Sequence, residues 1–111
     1  MAPYHILSLD GGGIRGVLTA ALLERLEQGY PGFLEEVNLI AGTSTGGILA
    51  LGLASGMTPA EARELYERLG EHVFKDSFWD NLKDLGQARG AQYSNKYLKD
   101  ELSKEFGSMK L

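Results

Sequence analysis

The 111-residue chain has no cysteine, two histidines, three prolines and one tryptophan. Without cysteine there can be no disulfide, no zinc–thiolate site and no thiol nucleophile. His5 and His72 are too few for a histidine-based metal site. Basic residues are also scarce: eleven Lys and Arg against fifteen Asp and Glu leave a net charge of −4. That balance excludes the basic footprint of a nucleic-acid binder. Residues 1–9 contain no Lys or Arg and Asp10 follows at once, whereas a secretory leader opens with a basic stretch. No Gly-Lys-Ser or Gly-Lys-Thr occurs, which removes the phosphate-binding NTPase loop. What is present, 43% apolar and 23% charged residues, is the composition of an ordinary folded chain. The length suits one domain or part of one.

Residues 37–60 carry no charge, a run long enough to span a bilayer. Gly42, Gly46, Gly47, Gly52 and Gly56, with Thr43, Ser44, Thr45 and Ser55, make its centre too polar for lipid. The run reads instead as a buried strand, a tight turn and a buried helix.

Tyr4 to Leu9 is short and partly alternating and stops at Asp10 and three glycines, which predicts a strand and a turn. From Gly16 to Gln28 the period lengthens. Leu18, Leu22 and Leu26 recur every four residues, with Ala21 and Leu23 beside them and Glu24, Arg25 and Glu27 on the other side, which predicts an amphipathic helix ended by Gly29, Pro31 and Gly32. Val37 to Ala41 is a second strand. Thr45 to Ala54 is apolar or small on every side, as in a buried helix. Thr58-Pro-Ala-Glu61 has the form of a capping box with proline at the first helical position. Ala62, Leu65, Tyr66, Leu69 and Val73 then share one stripe. A last helix is expected from a cap at Ser94, with Tyr97, Leu98, Leu102 and Phe106. This order implies an α/β protein with a parallel sheet covered by helices. Two strands fall short of the roughly five or six of a typical sheet, so the expectation is the opening part of a larger domain.

The chemistry lies in two glycine-rich turns at the carboxyl ends of the two strands, where open α/β sheets bind ligands. The second, Gly42-Thr43-Ser44-Thr45-Gly46, has the Gly-x-Ser-x-Gly pattern of a nucleophile elbow between an apolar strand and a helix. Its glycines leave room for the chain to pass itself closely, and the following helix aims its positive end at the serine. The first, Asp10-Gly-Gly-Gly-Ile-Arg-Gly16, can present backbone N–H groups to an oxyanion. Arg15 at a helix start opposes the helix dipole, which suggests that it serves instead to hold the loop or an anionic head group. Asp10 is expected to anchor the turn or cap the next helix.

The pair Asp10-Gly-Gly-Gly-Ile-Arg-Gly16 and Gly42-Thr-Ser-Thr-Gly46-Gly47 resembles the patatin-like phospholipases, and the likeness covers nearly the whole chain. It implies a three-layer α/β fold with a mainly parallel sheet flanked by helices, of which residues 1–111 are the N-terminal portion. It further implies hydrolysis of a phospholipid or other acyl ester by a Ser–Asp dyad, with no metal and no cofactor. Ser44 would be the nucleophile, and Gly11, Gly12, Gly13 and Arg15 the oxyanion loop. The family's dyad aspartate sits in Asp-Gly-Gly or Asp-Gly-Ala. The only Asp-Gly here is Asp10-Gly11, and Asp76, Asp80, Asp84 and Asp100 lack the glycine. The base is therefore expected outside this chain, and the isolated chain to be weakly active or inactive. The expected setting is cytoplasmic, with transient contact at membrane surfaces and no nucleic-acid partner.

Other readings compete. Ser44 could simply cap the next helix. A triad using His72 would draw its acid from Glu61, Glu64, Glu67 or Glu71 on the same helix, a poor geometry. Gly11, Gly13 and Gly16 also spell a dinucleotide fingerprint, but the acids at the right spacing, Glu35 and Glu36, precede the second strand instead of following it. A truncated, inactive hydrolase could act by forming a homo-oligomer or by pairing with a downstream segment, covering its sheet edge. Phe74, Phe78, Trp79, Leu82 and Leu85 could form an interfacial lip with Lys75 and Lys83, although core packing is the commoner use of such residues.

Overall fold

The computed structural model describes residues 2–71 and 92–108. The chain divides into two compact units, Met1–Glu67 and Arg68–Leu111. In the first, β1 (Ile6–Leu9) and β2 (Leu39–Gly42) pair in parallel, Ile6 opposite Leu39 and Leu9 opposite Gly42. Between them come a short 3-10 turn at Gly13–Arg15, helix α1 (Gly16–Gly29) and a second 3-10 turn at Leu34–Glu36. Helix α2 (Thr45–Ala54) leaves β2 directly, and α3 (Pro59–Leu69) follows. The unit is thus the α/β arrangement expected: two parallel strands joined through a helix. Residues 37–60 divide as strand, turn and helix. Among the described residues no helix is long and apolar enough to cross a membrane.

The core joins Leu9, Ala20, Leu23, Leu49, Ala50, Leu53, Ala62 and Tyr66, with Leu7, Ile40 and Phe33 packed against it. One face of the sheet therefore lies on the helices. On the other, Ile6 and Leu39 are exposed. Helix α1 departs from the expected amphipathicity. Its buried positions are Gly16, Ala20 and Leu23, while the Leu18, Leu22 and Leu26 stripe faces outward. Small side chains let the helix axis approach the core; the leucine row would hold it away.

Helix α3 forms as its sequence indicates. Thr58 N–H donates to Glu61 Oε2 at 2.8 Å, and Glu61 N–H to Thr58 Oγ1 at 3.2 Å, completing the capping box. Ala62, Leu65, Tyr66 and Leu69 are all buried. Arg63 bonds Glu24 of α1 at 2.7 Å and Glu67 at 3.0 Å, and both carboxylates push its pKa up. The connection from α1 to β2 is tied by the Glu27 carboxylate, which accepts Gly32 N–H at 2.9 Å and Leu34 N–H at 3.2 Å.

In the second unit, α4 (Gln92–Phe106) contains Ser94 inside the helix and not at its start. Glu101 is buried and meets Lys104 at 2.7 Å, and Arg68 meets Glu105 at 3.0 Å. His72, Val73, the aromatic and leucine cluster from Phe74 to Leu85 with Lys75 and Lys83, and Asp76, Asp80 and Asp84 lie outside the described residues, as does the side chain of Tyr97.

Candidate active site

Leu9 and Gly42 are paired, so the two glycine turns leave adjacent strands side by side. The pairing runs one step further: Thr43 N–H donates to Leu9 O at 3.2 Å. Beyond it the turns touch. Gly11 N–H donates to Thr43 Oγ1 at 3.2 Å. A Cβ on Gly11 would stand 2.9 Å from Ser44 Cβ and 2.8 Å from Thr43 O, so no side chain fits between loop and serine.

Ser44 is the one non-glycine residue with positive φ among the described residues, at φ 53° and ψ −126°. Such backbone costs about 1–3 kcal/mol and persists only where its surroundings dictate it. They do so here. A Cβ on Gly42 would strike Gly46 O, and one on Gly46 would strike Leu9 O and stand 2.7 Å from Asp10 O. Gly47 N–H and Ile48 N–H both return to Ser44 O, at 2.9 and 3.3 Å. The chain therefore folds back on itself through two residues without side chains, and Ser44 is thrust outward at the corner. It occupies the cap position of α2 but makes no cap hydrogen bond, and it is exposed. The capping alternative thus fails: the hydroxyl is left to solvent.

The first turn is built around Gly13, whose φ of 60° is left-handed and suits glycine. Arg15 lies in the 3-10 turn ahead of α1. Its N–H reaches Gly12 O at 3.2 Å and its Nε reaches the same oxygen at 3.3 Å, so the side chain holds the loop. No side chain caps the turn or α1, and Asp10 has no capping role. The Gly11 amide is occupied by Thr43, whereas those of Gly12 and Gly13 have no partner among the described residues. The Thr45 amide, the first of α2, is unbonded in the same sense. Ser44 thus adjoins the loop that carries the Gly12 and Gly13 amides and stands at the positive end of α2, a setting that favours negative charge.

Among the described residues no carboxylate or imidazole is bonded to Ser44. Glu61 is engaged with Thr58 and Glu67 with Arg63. No three His, Asp or Glu side chains among these residues converge to hold a metal. Glu36 lies in the 3-10 turn ahead of β2 and accepts the Tyr30 hydroxyl at 3.0 Å. It is therefore at the opposite end of the sheet from the glycine turns, which removes the acid that a dinucleotide site needs.

In the sequence, Tyr66 reads as one more member of an apolar stripe. The structure gives it a polar contact: its hydroxyl donates to Thr45 O, one residue past Ser44. The available signal was a phenol in an otherwise aliphatic row. A buried phenol needs a partner.

The fold and turns define an α/β unit carrying a Gly-x-Ser-x-Gly corner beside a glycine loop. The patatin-like phospholipase family model matches residues 7–111, and the chain belongs to that family. It is 47% identical to a cGAMP-activated phospholipase of Pseudomonas aeruginosa over 73 residues, covering 64% of this chain and 22% of that protein. A cGAMP-activated phospholipase of Vibrio cholerae is 36% identical over 116 residues, covering 93% of this chain and 33% of the relative. Patatin-17 of Solanum cardiophyllum is 34% identical, covering 96% and 29% respectively. The chain thus spans a third or less of the length of these relatives. No solved structure matches it significantly.

Proposed function

We propose that residues 1–111 form the N-terminal portion of a patatin-like catalytic domain and carry the nucleophile and oxyanion loop of a lipid acyl hydrolase. The observation that carries this reading is Ser44: exposed, uncapped and held at φ 53° against the glycine loop. Its Oγ attacks the acyl carbonyl of a phospholipid or related ester. The serine proton passes to a base, the aspartate of a Ser–Asp dyad supplied from outside this chain. The amides of Gly12 and Gly13 hold the oxyanion, while Gly11 and Arg15 shape the loop. As the tetrahedral intermediate collapses, the ester C–O bond breaks and the alcohol leaves with the proton. Water then cleaves the acyl-enzyme, regenerating the Ser44 hydroxyl and releasing a fatty acid. The protein works in the cytoplasm and meets membranes only while engaging substrate.

The test is a fluorophosphonate probe with adduct mapping by mass spectrometry. The protein that includes the aspartate-bearing segment is expected to be labelled at Ser44, and labelling is expected to vanish in Ser44→Ala. The 111-residue chain alone is expected to react slowly or not at all. An adduct elsewhere, or none in the longer protein, would overturn the reading. A second reading, association with another copy or with a downstream segment, is favoured by the exposed Leu18, Leu22 and Leu26 stripe. Sedimentation of the chain as a monomer would count against it.

A further inference from the structure

We infer that Tyr66 is a positioning residue that locks the oxyanion loop and the nucleophile turn into one register from beneath. Tyr66 lies on α3, away from both glycine turns in sequence, and is fully buried. Its ring lies under Gly16, the first residue of α1 after the oxyanion loop: a Cβ there would run into the ring, with its Cζ 2.7 Å away. Its hydroxyl donates to the carbonyl of Thr45, the residue after Ser44. One side chain therefore touches the exit of both turns.

The chemistry of the second contact is specific. Thr45 O is the first carbonyl of α2, and the Leu49 amide is its ordinary partner one turn on. Burial pushes the Tyr66 phenol up, and the Thr45 side chain and the Leu49 amide, which both face the phenolic oxygen, offset part of that. The hydroxyl is thus set into the first turn of the helix whose positive end points at Ser44. This fixes where the first α2 amides lie. The ring meanwhile fixes the height of α1, and with it the Gly12 and Gly13 amides just upstream. An oxyanion needs donors already in place, and a displacement of about 1 Å can cost about 100-fold in rate.

This inference rests on the proposed acyl transfer at Ser44, and the experiment separates the two. Tyr66→Phe keeps the ring under Gly16 and removes only the hydroxyl. In the protein that includes the aspartate-bearing segment, with a soluble chromogenic acyl ester, kcat is expected to fall by about 10- to 100-fold. KM should stay near the starting value, and the rate of fluorophosphonate labelling at Ser44 should fall in parallel with kcat. A loss confined to packing would lower the melting temperature without splitting kcat from KM. Two further replacements of Tyr66 keep the test decisive if the Phe variant folds poorly. 4-Aminophenylalanine retains a donor at similar reach and should restore most of kcat; 4-methylphenylalanine has the same size without a donor and should not. Equal kcat for these two, or an unchanged kcat in Tyr66→Phe, overturns the positioning role while leaving Ser44 as nucleophile. Absence of Ser44 labelling in the unmutated protein overturns both.

Discussion

Helix α1 has two apolar faces with opposite fates. Gly16, Ala20 and Leu23 are buried, while Leu18, Leu22 and Leu26 are 64%, 63% and 46% exposed. The sheet repeats the contrast: Leu7, Leu9 and Ile40 join the core, whereas Ile6 and Leu39 are 61% and 47% exposed. Burial here follows how closely backbones approach, not how apolar the side chains are. The inner side is where a methyl at Gly16, Gly42 or Gly46 would strike another part of the chain. The outer side is where large side chains are exposed and, among the described residues, have nothing opposite them. Parallel sheets are ordinarily covered on both faces; here, among the described residues, the helices cover one face, and the Ser44 corner lies on that close-packed side.

The sharpest way to break this contrast is to add one methyl on each side of it. Gly46→Ala places a carbon against the Leu9 and Asp10 carbonyls, neither of which is the end of a flexible side chain. A loss of more than about 4 kcal/mol is expected, in the range reserved for severe overpacking, together with loss of Ser44 labelling in the protein that includes the aspartate-bearing segment. Gly29→Ala, at the end of α1 with nothing within 4 Å of its added carbon, should instead stabilise by about 0.5–1 kcal/mol through helix propensity. Denaturant midpoints of the two variants settle this. Similar losses would mean that close backbone approach is not what holds the elbow.

A smaller effect compares neighbours on α1. Leu23→Ala removes a 3%-exposed side chain and should cost about 3 kcal/mol. Leu22→Gln, one residue earlier and 63% exposed, should change stability by less than about 0.5 kcal/mol in the 111-residue chain. A Leu22→Gln loss comparable to that of Leu23→Ala would show that the outer stripe is covered in solution, which is what association through that stripe requires.

These residues also separate what the amino-acid sequence makes legible from what only the folded chain reveals. Turns, caps and element order were legible because they are local: Thr58 and Glu61 announce α3, and two glycine turns after two apolar runs announce parallel strands with a site at their ends. The inner face of α1 was not. A leucine every four residues gives the same periodicity whether it faces a core or solvent, and Gly16 and Ala20 carry little hydrophobic signal. The Ser44 position was legible from its glycines, but its free hydroxyl was not, since a serine before a helix ordinarily caps it. The split among the loop glycines was equally hidden. Only the Thr43 hydroxyl separates the occupied Gly11 amide from those of Gly12 and Gly13, and that contact joins residues far apart in sequence.

The smallest effect belongs to the exposed polar clip between α1 and β2. The Tyr30 hydroxyl donates to Glu36 Oε1 at 3.0 Å, and the bond and the charge of Glu36 together raise the phenol's pKa. His5 Nδ1 meets Glu36 O at 3.0 Å, and its backbone N–H donates to Asn38 Oδ1 at 2.8 Å, so the clip ties the start of β1 to the turn ahead of β2. The sign follows from linkage. A group whose folded pKa is raised contributes stability in full below its unfolded pKa, about 10 for tyrosine, and loses it as pH rises through the folded value. Tyr30→Phe should therefore lower the melting temperature slightly and by a constant amount through neutral pH, with the gap to the unmutated chain closing above about pH 10. The effect should be far below that of Leu23→Ala, because an exposed pair competes with water on both partners. A gap that instead widens with rising pH would mean that ionised Tyr30 is the favoured form in the folded chain, and that the clip is held by something other than the bond to Glu36.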